Sequence, residues 1–129
     1  MMRLLLDTHT LLWWVEDDPQ LSASARSSIS DEHNQCFVSL VSAWEMSIKA
    51  SLNKLRLTVP VLDYFRQHLP GNNFQPLPIT MEHVTRVQHL PFHHRDPFDR
   101  LLLAQAQQER LALVSADTVF SSYGIERIW

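Results

Sequence analysis

Apolar residues in this chain come in short unbroken runs, separated by longer stretches with helical spacing. Met2 to Leu6 is the first run, stopped by Asp7-Thr8-His9-Thr10. Its lack of alternation predicts a strand covered on both faces, as in a parallel sheet. Thr10 to Val15, carrying Leu11, Leu12, Trp13 and Trp14, predicts the first helix, ended by Asp17-Asp18-Pro19. Ser22 caps a second, more polar helix through about Ile29. Cys36 to Ser39 is the second strand. Ser42-Ala43-Trp44-Glu45 opens a helix in which Trp44, Ile48 and Leu52 share one face, and Asn53 suits the left-handed backbone that closes it.

Thr58-Val59-Pro60 opens a helix to about Leu69, and Pro70-Gly71-Asn72-Asn73 reads as a turn. Phe74 to Ile79 is interrupted by two prolines, which restricts it to a sheet edge. Thr80 to Leu90 predicts a helix using Val84, Val87 and Leu90, and a loop at Pro91 to Arg95 comes next. Pro97 suits a first helical position, so Asp96 falls at the N-cap and Asp99 one turn into a helix reaching about Arg110. Leu111 to Ser115 is the next strand, with Asp117 directly after it, and Ile125 to Trp129 the last. Strands alternating with helices predict one α/β domain with a mainly parallel sheet flanked by helices on both faces. Ligands in such folds sit beyond the carboxyl ends of the strands, where the strand order reverses. Asp7 and Asp117 both belong there.

Composition narrows the function classes. The 129 residues fit a single domain. One cysteine, Cys36, excludes an internal disulfide and reads as a buried thiol in a reducing compartment. Asp7 arrives too soon for a signal peptide, and no apolar run is long enough to span a membrane, so a cytoplasmic location is expected. A net charge of −3 argues against a large basic nucleic-acid surface.

Each acid, taken alone, has an ordinary role open to it. Asp7 is placed to cap the first helix, and Asp117 to cap a short turn containing Val119 and Phe120. Ser42-x-x-Glu45 matches a capping box, and Glu45 with Lys49 matches an i, i+4 ion pair. Asp99 complements a helix dipole, yet it shares a side with Leu102, Leu103 and Ala106, where an unpaired carboxylate is costly. Together, Asp7, Glu45, Asp99 and Asp117 would repel one another without a cation. Mg²⁺ or Mn²⁺ suits all-oxygen surroundings, whereas zinc favours His and Cys. Such a metal acidifies water and clamps the oxygens of a phosphodiester, which points to hydrolysis of phosphate esters.

Leu4-Leu5-Leu6-Asp7-Thr8-His9-Thr10-Leu11-Leu12-Trp13, Ser42-Ala43-Trp44-Glu45 with Lys49, Asp96-Pro97-Phe98-Asp99-Arg100 with Ala104 and Ala106, and Ser115-Ala116-Asp117 resemble the PIN domain. More narrowly, they resemble the VapC-type toxins of type II toxin–antitoxin pairs. The resemblance runs through nearly the whole chain, 1–129, in the right order. It implies an Mg²⁺- or Mn²⁺-dependent endoribonuclease whose catalytic, metal-binding acids are Asp7, Glu45, Asp99 and Asp117. Ser115 matches a family position near the metal. The family also implies a homodimer held inactive by a cognate antitoxin. Asn53 stands where relatives often have Gly, and Asp96 adds an acid to the third motif. Setting the four acids aside changes the net charge from −3 to +1, so RNA contacts fall to the metal and a few side chains. Lys49, Arg95, Arg100 and Ser115 are the candidates. His89, His93 and His94 lack zinc spacing and read as a solvated loop, with His94 a further candidate to touch substrate. The competing readings are a phosphatase with Asp7 as nucleophile and a binding module whose acids only cap helices.

Overall fold

The computed structural model describes residues 1–129, and the first apolar run lies at the centre of its sheet. In chain order the elements are β1 (Arg3–Leu6), α1 (Thr8–Glu16), α2 (Ala23–Ser30), β2 (Gln35–Ser39), α3 (Leu40–Ser51) and α4 (Val61–Gly71). Then come β3 (Gln75–Leu77), α5 (Met81–Arg86) with a 3-10 turn at Val87–His89, α6 (Pro97–Glu109), β4 (Ala112–Val114), a 3-10 turn at Thr118–Tyr123, and β5 (Arg127–Ile128). All strand pairs are parallel and the order is β3-β2-β1-β4-β5. The chain therefore adds strands to one side of β1 and then to the other, and the reversal falls between β1 and β4. No helix is long and apolar enough to cross a membrane.

The strand register sorts side chains between two cores. Leu4, Leu6, Cys36, Val38, Ala112 and Val114 join one cluster with α1, α2 and α4. Leu5 and Leu113 point the other way, toward Leu102, Leu103, Ala106 and Phe120. Both faces are covered, which is why the strands read as unbroken apolar runs. The proline-bearing β3 lies at the sheet edge, where its Pro76 costs no central hydrogen bond.

The helix expected over Thr80 to Leu90 gives way to a 3-10 turn after Arg86, the strand expected over Ile125 to Trp129 is only Arg127–Ile128, and two further helices differ from the sequence reading. Helix α3 is capped by Ser39, whose hydroxyl accepts from the Val41 N–H at 2.9 Å, so Ser42 is inside the helix and forms no capping box. Its inward face is Val41, Ser42, Glu45 and Met46, while Trp44 and Leu52 are exposed. Hydrophobic spacing points to the wrong face because the inward side is polar where it borders the site. Helix α4 extends through Pro70 and Gly71, and the chain turns only at Asn72 and Asn73, the latter with φ of 57°. Proline lacks the amide hydrogen that a last helical turn would use, but its own φ is helical, so the turn closes around it.

Candidate functional site

The carboxyl ends of β1 and β4 are tied together around Val114, whose carbonyl accepts from the Asp7 N–H (3.2 Å) and the Thr10 hydroxyl (2.8 Å). This brings Asp7 beside the segment carrying Ser115 and Asp117. Helix α3 contributes Glu45 from below, and the first turn of α6 contributes Asp99. Asp7, Glu45, Asp99 and Asp117 all line one pocket of about 200 Å³, together with Thr8, His9, Lys49 and Asp96.

Each acid is held differently. Asp7 caps α1, its Oδ1 accepting from the Thr10 N–H at 2.8 Å. Burial raises its carboxyl above the usual range, and hydrogen bonds from Ser115 and Thr10 partly offset that rise. Glu45 is buried; the Thr8 hydroxyl donates to Oε1 at 2.7 Å and Lys49 Nζ reaches Oε2 at 2.6 Å. Asp117 caps the following 3-10 turn through Oδ1, which accepts from the Val119 N–H at 3.0 Å. Asp96 is the cap of α6, accepting from the Phe98 and Asp99 N–H groups at 2.7 and 3.2 Å. Capping and pocket-lining thus coincide at Asp7, Asp96 and Asp117.

Asp99 is the outlier. Its carboxyl is pushed up to about 6 by burial first, then by the charges of Asp96, Glu45 and Asp117, with His94 opposing them. A raised carboxyl favours the protonated folded state, so its contribution to stability is full below 3.8 and lost as pH rises through about 6. Asp99→Asn removes this penalty. In EDTA the variant is expected to be about 1–2 kcal/mol more stable than wild type at pH 7, after discounting for partial solvation, and to converge with it below pH 4. Urea melts at pH 4 and pH 7 check this; an equal difference at both values refutes it.

The substrate candidates separate. Lys49 lines the pocket, bridged to Glu45. Ser115 is fully buried beneath it, its hydroxyl accepting from the Asp117 N–H at 3.1 Å, so it supports the acids from behind. Arg95 is exposed and outside the lining. Arg100 does not face a ligand at all: it is 5% exposed and its guanidinium donates to the carbonyls of Val87, Leu90, Pro91 and His94 at 2.8 to 3.3 Å. An inward-pointing arginine on α6 satisfies its donors with the backbone of the loop that crosses it.

That loop also corrects the reading of its histidines. His94 is 8% exposed, and its Nε2 lies 2.8 Å from Asp117 Oδ2. One ligand atom each from His94, Asp99 and Asp117 lies within 4.8 Å of the others. Sequence spacing could not find this pairing, because it depends on where Arg100 pins a loop without periodicity. Cys36, by contrast, is buried as expected, and burial pushes its thiol up to about 11.

Comparison with known proteins bears on the same region. The family profile described as "PIN domain" matches residues 4–126. "Ribonuclease VapC22" of Mycobacterium tuberculosis (strain ATCC 25618 / H37Rv) is 30% identical over 125 residues, covering 95% of this chain and 93% of its own. Among solved structures, VapBC2 from Rickettsia felis, bound to a DNA fragment from its promoter, superposes with a TM-score of 0.73 at 13% identity. It covers 98% of this chain and 97% of that one. DNA-bound VapBC from Salmonella typhimurium gives 0.68 at 16% identity, with coverage of 98% and 97%. At such identities the structural likeness establishes the fold.

Proposed function

Because this chain belongs to the PIN domain family, we propose that it is a metal-dependent endoribonuclease and the toxin of a type II toxin–antitoxin module. The observation that carries the reading is the convergence of Asp7, Glu45, Asp99 and Asp117, from four separate segments, on one pocket at the strand-order reversal. The donor set is all oxygen, which fits Mg²⁺ or Mn²⁺. Asp99 supports the same fit, since burial and neighbouring acids oppose its charge and a cation would relieve both. Asp7, Glu45, Asp99 and Asp117 would hold the ion. When bound it supplies Lewis acidity and acidified water for attack on a phosphodiester.

The chain's own residues prepare that chemistry. Thr8 and Lys49 fix Glu45 from opposite oxygens, and Ser115 fixes both Asp7 and Asp117. Lys49 is the one lysine or arginine on the pocket wall, placed to meet a phosphate oxygen. The similarity to a ribonuclease supports RNA as substrate, and the two VapBC structures support an antitoxin partner. An apolar groove of about 800 Å³ between α3 and α4, bordered by Leu40, Leu62 and Phe65, supports a protein partner there or a second copy of the chain.

The test uses the purified chain alone. RNA cleavage is expected with Mn²⁺ or Mg²⁺ and none with EDTA. Mn²⁺ at a hundred times its dissociation constant should add about 2.7 kcal/mol of stability. Cleavage that survives EDTA, or melting unchanged by either ion, overturns the reading.

A further inference from the structure

We propose that His94 is a positioning residue: it orients Asp117 toward Asp99 through a hydrogen-bond relay that begins at Tyr123. This rests on the proposed metal site, since the orientation of Asp117 matters only if it receives a cation.

The proton on the imidazole is placed by counting donors. The His94 backbone N–H donates to the Tyr123 hydroxyl oxygen at 2.8 Å. The Tyr123 O–H is then free to donate to Nδ1, 3.0 Å away. The Asp117 carboxylate can only accept, so the neutral ring carries its proton on Nε2, donates it to Oδ2 at 2.8 Å and leaves Nδ1 as the acceptor. The opposite tautomer would aim a nitrogen lone pair at a carboxylate oxygen at that distance.

Packing holds the ring in this orientation. Tyr123 stacks on it with an interplanar angle of 13°, and Phe120 covers it with a centroid separation of 4.4 Å. Arg100 fixes the loop backbone at Leu90, Pro91 and His94 itself. Asp117 is thereby restrained at both oxygens, by the Val119 N–H at Oδ1 and by His94 at Oδ2. Partners of this kind orient a ligating carboxylate and typically change metal affinity 10- to 100-fold when lost. A ring nitrogen bound directly to the ion would act differently, because imidazole favours Mn²⁺ over Mg²⁺.

Calorimetric titration of the purified chain with Mn²⁺ and with Mg²⁺ tests the assignment in wild type, His94→Ala, His94→Gln and Tyr123→Phe. His94→Ala is expected to weaken both ions about 10- to 100-fold, leaving their affinity ratio unchanged. His94→Gln, whose amide N–H reaches toward the Nε2 position, should recover most of the loss. Tyr123→Phe should show a smaller loss, and nitrogen NMR should find Nε2-protonated His94 in wild type and mixed tautomers in that variant. Wild-type affinity in His94→Ala overturns the proposal. So does a loss confined to Mn²⁺, which marks a direct ligand, or a His94→Gln variant that folds yet binds no better than His94→Ala. Failure of wild type to bind either ion overturns the metal reading itself, and this inference with it.

Discussion

Asp7→Asn is expected to lower RNA cleavage by on the order of 10³-fold while leaving the fold intact. The substitution separates the capping role of the residue from the metal-holding role proposed for it. Asn caps a helix as well as Asp does, so the bond from the Thr10 N–H survives and α1 keeps its start. The negative charge at the carboxyl end of β1 is lost. Burial already opposes that charge, so the variant's melting temperature in EDTA should equal or exceed that of wild type. Initial rates with Mn²⁺ and a thermal melt of the same preparation are sufficient. Cleavage within tenfold of wild type would remove Asp7 from the machinery.

The second large effect falls on stability. Arg100→Ala should destabilise the chain by about 3–5 kcal/mol, because it takes the donor from the buried carbonyls of Leu90 and His94, breaks the part-buried bonds to Val87 and Pro91, and removes the guanidinium 4.2 Å from the Phe92 ring centroid. In a chain of this size that lowers the melting temperature by about 10 °C or more. Arg100→Lys should recover only part of the loss, since an ammonium cannot span the same acceptors as a planar fork. A shift under 3 °C for Arg100→Ala would show that the loop is held by other contacts.

Asp7 and Arg100 differ in how far their roles are legible in the sequence. Asp7 and Asp117 stand at the ends of unbroken apolar runs, and a buried strand in an α/β sheet delivers the residue after it to one edge. The caps are legible for a related reason, since Asp96 before Pro97 and Ser22 before Ala23 act on amides two or three residues away. Glu45 reaches the pocket despite the misread face of α3; it is singled out by the motifs taken as a set, although Ser42 does not cap the helix. Arg100 and His94 have other roles than their positions in the sequence suggest. Their partners are backbone carbonyls and the side chains of Asp117 and Tyr123, 23 and 29 positions downstream of His94. Nothing in the periodicity of a loop encodes those distances. A signal for Arg100 does exist: an arginine beside Leu102, Leu103 and Ala104 on an inward helix must find several acceptors or stay in water.

The central place of β1 has a consequence for synthesis. It is the first strand made, yet one of its two neighbours, β4, pairs Leu4 with Ala112. That closure spans most of the chain and must await the last part of translation. Until then the emerging polypeptide can gather Asp7 and Glu45 but has neither Asp99 nor Asp117 to set beside them. An unfinished copy therefore carries half a pocket, and the four acids meet only once residue 117 has been added and β4 has paired with β1.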